Sequence, residues 1–99
     1  MYAVVNRRRM NEARAEETRE RATREFFPKM QQAPGFVSFS LIQGEQGVNV
    51  VVILFESKDH ADAAFAEIGE SWSRTLDALG HQLESRETGE VVQHLTPGT

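Results

Sequence analysis

The chain of 99 residues contains no cysteine, so it has no disulfide and no thiolate with which to hold a metal, a composition that suits a reducing compartment. Apolar runs of bilayer-spanning length are missing. The first ten residues, MYAVVNRRRM, also lack the apolar stretch that follows the basic residues of a secretion signal. A cytoplasmic protein with no membrane partner is therefore expected. There is no surplus of basic charge either: 11 Lys and Arg stand against 15 Asp and Glu, for a net charge of -4. A nucleic-acid surface needs a concentrated basic face, so nucleic acid is not expected as a partner. Arg7, Arg8 and Arg9 form the one basic run, and the carboxylates of the following NEARAEETRE neutralise it locally, which reads as a solvated strand end. Repeats, linkers and low-complexity tracts are absent too, so one domain is expected over 1–95, with an unstructured tail at 96–99.

What is present is an ordinary globular composition, 39% hydrophobic and 26% charged. A domain this small builds only a modest core and gains stability by pairing with a copy of itself. Alternation predicts a first strand over 2–8, with Tyr2, Val4 and Asn6 on one face and Ala3, Val5 and Arg7 on the other. A thinly amphipathic helix follows from Asn11, read as its N-cap, to about Gln32, with Pro28 kinking or ending its regular part. Pro34-Gly35 turns the chain into a hairpin.

With a four-residue turn at Gly44-Glu45-Gln46-Gly47, Val37, Phe39 and Leu41 fall opposite Leu54, Val52 and Val50 on one side of the sheet. Phe36, Ser38, Ser40 and Ile42 fall opposite Phe55, Ile53, Val51 and Asn49 on the other. A second helix from Ser57 or Asp59 carries Ala61, Phe65, Ile68, Trp72, Leu76 and Leu79 within one sector and stops at Gly80. The remainder, HQLESRETGEVVQHL, reads as a strand pair turned at Thr88-Gly89. The order predicts an α+β fold, a ferredoxin-like split βαβ antiparallel sheet with two helices on one face.

On this register the helices cover the Val37, Phe39, Leu41 side. Nothing in the chain covers the other, which carries Tyr2, Val4, Phe36, Ile42, Val51, Ile53 and Phe55 beside the small polar Ser38 and Ser40. So large an apolar face is more than a monomer usually exposes. A homodimer, sheet to sheet, is its simplest cover, with a cavity between the sheets for a small hydrophobic ligand.

Several of these stretches together resemble the antibiotic biosynthesis monooxygenase-like (ABM) group of the dimeric α+β barrel superfamily. They are a first strand ending near Asn6, APGF (Ala33 to Phe36), FES (Phe55 to Ser57), KDHADAAF and the closing GEVVQH (Gly89 to His94). The resemblance implies a dimeric α+β barrel, and relatives include cofactor-independent oxygenases of aromatic polyketides and haem-degrading enzymes. The haem-degrading branch uses an asparagine on the first strand with a tryptophan and a histidine in the second half, and this chain offers Asn6, Trp72 and His81 in that order. Trp72 lies mid-stripe between Ile68 and Leu76 and reads as packing on the helix side, away from the cavity. His81 follows the Gly80 cap, free either to meet a ligand or to sit near the helix C-terminus. His60 reads as solvated and His94 as a strand-end residue. No histidine pair has the spacing of a helical metal site, so no metal is expected.

Asn6 is the leading candidate. Its amide can donate to and accept from a ligand carbonyl or peroxide, although a strand-end asparagine bonded to backbone has the same appearance in sequence. Three readings stand: a cofactor-independent monooxygenase, a non-catalytic ligand-binding or assembly module, and a haem-binding or haem-degrading enzyme.

Overall fold

The computed structural model describes residues 1–98; Thr99, part of the expected tail, lies outside the described residues. Strands β1 (Tyr2–Arg9), β2 (Phe36–Gln43), β3 (Val48–Phe55) and β4 (Gln82–Glu90) form one antiparallel sheet in the order β2-β3-β1-β4. Helix α1 (residues 12–31) joins β1 to β2, and helix α2 (residues 58–78) joins β3 to β4. Phe26 and Met30 of α1 and Ala61 and Ala64 of α2 cluster with Tyr2, Ile53 and Phe55 of the sheet, so both helices cover one sheet face. This is the α+β, ferredoxin-like arrangement. Among the described residues, no helix is long and apolar enough to cross a membrane.

Both helices are interrupted by a π turn. In α1 it spans Ala22–Phe26, between α-helical Ala15–Arg21 and Phe27–Gln31. Pro28 has no N–H, and its ring would collide with the carbonyl four residues back; the wide turn just before it relieves that conflict without ending the helix. Asn11 does not cap α1 with its side chain. Its Nδ2 instead donates to Leu79 O at the end of α2 (3.1 Å).

Helix α2 starts as expected, with Ser57 Oγ accepting from His60 N (3.2 Å). Its π turn spans Phe65–Gly69. It ends in a Schellman motif: Gly80, at φ +87, donates its N–H to Asp77 O (3.0 Å), and His81 N donates to Leu76 O (3.0 Å). Gly35, at φ +76, is a further position that requires glycine, because a Cβ there would overlap the His60 ring. His60 is thus half-buried against the β2 entrance and not solvated.

The expected hairpin after Gly80 is one continuous strand. Gly89 pairs with Ala3 in the β4–β1 ladder and makes no turn, and His94 lies beyond the sheet, whose last residue is Glu90.

The hairpin register also differs from expectation, by one residue, and the difference exchanges the faces of β3. Gln43 pairs with Asn49, Leu41 with Val51 and Phe39 with Ile53. The loop therefore holds five residues, closed by Gly44 N donating to Val48 O (2.8 Å), with Gln46 and Gly47 at positive φ. A second irregularity at Val37 restores Phe36 opposite Phe55 and turns Val37 outward. A one-residue slip moves every side chain of a strand to the opposite face. Tyr2, Val4, Phe36, Val51, Ile53 and Phe55 accordingly lie under the helices. The uncovered face carries Ala3, Val5, Ser38, Ser40, Ile42, Val50, Val52 and Leu54.

Candidate functional site

The registers place the helix-facing side chains in rows across the sheet. Phe36, Phe55 and Tyr2 form one end, followed by Phe39, Ile53 and Val4. Next come Leu41, Val51, Asn6 and Arg86, and the last row is Gln43, Asn49 and Arg8. Apolar character thus gives way to polar along the strands.

Between these rows and the helices lies a cavity of about 630 Å³, within the range of small-molecule sites. Its roof includes Phe26 and Trp72, stacked at 5.1 Å between ring centroids and 16° between planes. Phe27 and Phe39 meet edge to face at 5.3 Å beside them. Both π turns contribute to the lining, through Ala22 and Phe26 on α1 and Phe65 and Gly69 on α2. Wide turns of this kind re-aim side chains and recur at functional sites.

Three polar side chains converge at the other end. Arg86 Nε donates to Asn6 Oδ1 (2.7 Å), and its guanidinium carbon lies 4.8 Å from the Phe65 ring centroid. Among the described residues, nothing accepts from Asn6 Nδ2. Arg8, almost fully buried, donates from Nη2 to Ser73 Oγ (2.6 Å) and from Nη1 to Asp77 Oδ1 (3.2 Å). Arg8 is therefore part of the cavity and not of a solvated strand end; Arg7 and Arg9 share the exposed Glu84 instead.

His81 is elsewhere. It is 1% exposed, with its Nδ1 accepting from Asn11 N (2.9 Å) and its Nε2 2.6 Å from Thr18 Oγ1. An acceptor Nδ1 puts the ring proton on Nε2, which donates to Thr18 Oγ1, while that hydroxyl donates to Arg14 O (2.8 Å). Burial holds the His81 pKa below its ordinary value, with the charges of Arg8 and Arg14 acting in the same direction. The unfolded chain then takes up the proton more readily than the folded one. The stability from neutral His81 is present above the ordinary imidazole pKa of about 6.5 and is lost as pH falls through the lower folded value. Melting temperature should drop on acidification from pH 7 to 5, and His81→Gln should start lower and lose less over that interval, as followed by circular dichroism.

Likenesses to known proteins appear at the level of structure. No family model matches the chain, and no curated protein matches it significantly. Among solved structures, a proposed antibiotic biosynthesis monooxygenase of Deinococcus radiodurans superposes with a TM-score of 0.81 over 100% of both chains, at 12% identity. SnoaB of Streptomyces nogalater, a cofactor-independent oxygenase, gives 0.73 over 97% of both chains in a variant form, at 20% identity. The chain has the antibiotic biosynthesis monooxygenase fold. A third ABM-fold structure, the monooxygenase from the gene ActVA-Orf6 of Streptomyces coelicolor in complex with Nanaomycin D, gives 0.74 over 98% of this chain and 92% of its own, at 18% identity.

In this ABM-fold chain the sequence candidates are divided. Asn6 and Trp72 meet at one cavity, which lies inside the subunit and not between two sheets. Trp72 lines it because the helix side of the sheet is the cavity side. Val4, Val51, Ile53 and Phe55 also line it, Tyr2 and Phe36 pack in the cluster at its apolar end, and Ser38 and Ser40 are on the uncovered face. Haem does not fit these residues: the fully buried His81 ring lies behind Thr18 of the cavity wall with both nitrogens engaged, so it offers no axial ligand without breaking a hydrogen bond and displacing that wall. Arg8 and Arg86 complete the site and were not among the candidates. Strand alternation beyond Asn6 points to Arg8.

Proposed function

We propose that this protein is a cofactor-independent monooxygenase of a small planar aromatic molecule, acting as a cytoplasmic homodimer. The observation that carries the reading is the Asn6–Arg86 pair, set at the polar end of a cavity otherwise walled by Phe26, Phe39, Phe65 and Trp72. An aromatic ligand slid beneath the Phe26–Trp72 stack would bring an enolate or peroxide oxygen to the free Asn6 Nδ2 and the guanidinium N–H groups. Donors fixed beforehand at developing negative charge are the largest single means of lowering such a barrier. The ABM-fold neighbours include a cofactor-independent oxygenase, which adds support.

The chemistry closes without an outside reductant. A methylene between two aryl rings loses both hydrogens and becomes a carbonyl; one atom of dioxygen stays on carbon, and the other leaves with the hydrogens as water. The substrate supplies all four electrons. The dimer reading rests on the uncovered sheet face, where Val5, Val50, Val52 and Leu54 lie side by side and Ile42 is 51% exposed. A stable interface takes roughly 800 Å² from each partner, the scale of a whole sheet face.

Oxygen uptake with a hydroxylated anthrone, in buffer treated with a chelator, tests the catalytic reading. Saturable uptake above the uncatalysed rate, with the quinone formed in equal amount, is the expected result. Saturable binding without uptake would leave a non-catalytic ligand-binding module of the same fold.

A further inference from the structure

We infer that the polar end of the cavity is an anion subsite, so that a planar aromatic acid, ionised at neutral pH, is bound in preference to a neutral ring of the same shape. The inference rests on the reading of this cavity as the ligand site. It follows from a count of charges along the lining. Arg8 has Asp77 as its counter-ion. Glu12 and Arg19, both exposed, line the cavity with opposite charges. Arg86 is left over: among the described residues it meets no carboxylate, and its one hydrogen-bond partner is the neutral amide of Asn6. Among the described residues Arg19, Arg24 and Lys29 form no ion pair either, and Arg86 is exposed as they are; what sets Arg86 apart is that its guanidinium is held at the cavity by Asn6 and lies over the Phe65 ring.

Its placement suits recognition. Arg86 lies across from Asn6 in the β4–β1 ladder, and its guanidinium sits over the Phe65 ring. A guanidinium held over a ring keeps its in-plane N–H groups available for a carboxylate or phenolate oxygen. Partial desolvation of the otherwise exposed Arg86 side chain, followed by the charge of Arg8, pushes its pKa down. An arriving anion would offset the repulsion from Arg8. Asn6 Nδ2 stands ready as a further donor, and the aromatic wall holds the ring of the ligand.

The test compares 2-naphthoate with 2-naphthamide, which differ in charge and scarcely in shape, by calorimetric titration of the whole protein. The acid is expected to bind about tenfold more tightly than the amide at low salt, with the gap narrowing as salt is raised. Arg86→Gln should remove that preference, lowering the affinity for the acid far more than that for the amide, with an unchanged melting temperature as the control for an intact cavity. Equal binding of acid and amide, or an equal loss of both in Arg86→Gln, would overturn the anion subsite and leave the cavity reading standing. Saturable binding of neither would overturn both.

Discussion

Ile53→Glu should leave no cooperatively folded protein, whereas Val52→Glu, one residue earlier, should fold and run as a monomer. Ile53 is 7% exposed and pairs with Val4 on one side and Phe39 on the other, beneath Phe26 of α1. A carboxyl buried there without a partner must either stay protonated or carry its charge in an apolar core. Either way the loss is several kcal/mol, against a total of about 5–15 kcal/mol for a typical domain. Val52 points the opposite way, between Val5 and Ser40 on the uncovered face. A carboxylate there is solvated in the single chain. In a sheet-to-sheet dimer, two symmetry-related copies would be desolvated and brought towards one another, which opposes association. Circular dichroism and mass by light scattering give the two readouts. A folded Ile53→Glu beside an unfolded Val52→Glu would mean that the faces of β3 are the reverse of those described here. A folded Val52→Glu that still runs as a dimer would remove the uncovered face from the interface.

Asn6→Ala should lower kcat for oxygenation by about 10²–10³, the usual loss on removing one donor from an oxyanion-type site. Its melting temperature should hardly move. Asn6 accepts one hydrogen bond, from Arg86, at the open end of the cavity, and water can replace the lost oxygen as that partner. A large fall in melting temperature with an unchanged rate would instead make Asn6 a strand-end structural residue. Oxygen uptake and thermal denaturation on the same sample separate the two roles.

The order of elements and the ferredoxin-like fold were legible because their signals are local. Alternation marks Tyr2 to Asn6, the helical stripe runs from Ala61 to Leu79, and Ser57 and Gly80 bracket α2. The sheet faces were not legible, for a physical reason. Val48 pairs with Arg9 of β1 but joins the loop on the β2 side, and Val37 is extra on its strand. These two single-residue irregularities cancel at Phe36–Phe55, so the open end of the hairpin agrees with the four-residue turn while the stretch from Ser38 to Gln43 is displaced by one residue. Apolar residues on both faces of β2 and β3 left the hydrophobic pattern unable to decide between the registers.

The site was half visible for related reasons. Asn6 lies on a strand whose alternation is plain. Arg8 continues that alternation, but a run of three arginines looks like a solvated end until α2 is seen to bring Ser73 and Asp77 over the middle one. Arg86 becomes a neighbour of Asn6 only if β4 is one strand, and Gly89 disguises it as a turn. His81 has the residue type and order of a ligand histidine, yet the Schellman cap at Gly80 directs its backbone inward, where Thr18 and Asn11 take both ring nitrogens.

On the proposed reading the ligand enters between the helices and the sheet, under the one tryptophan of the chain, and not between two sheets. That placement is tested most directly by titrating the isotope-labelled protein with 2-naphthoate and following the indole signal of Trp72, the side-chain amide of Asn6 and the methyl groups of the sheet by NMR. Saturable shifts at Trp72, Asn6 and Val51, with Val50 and Val52 unmoved, are expected. Shifts confined to Val50, Val52 and Leu54 would place the ligand on the opposite face of the sheet and contradict that reading.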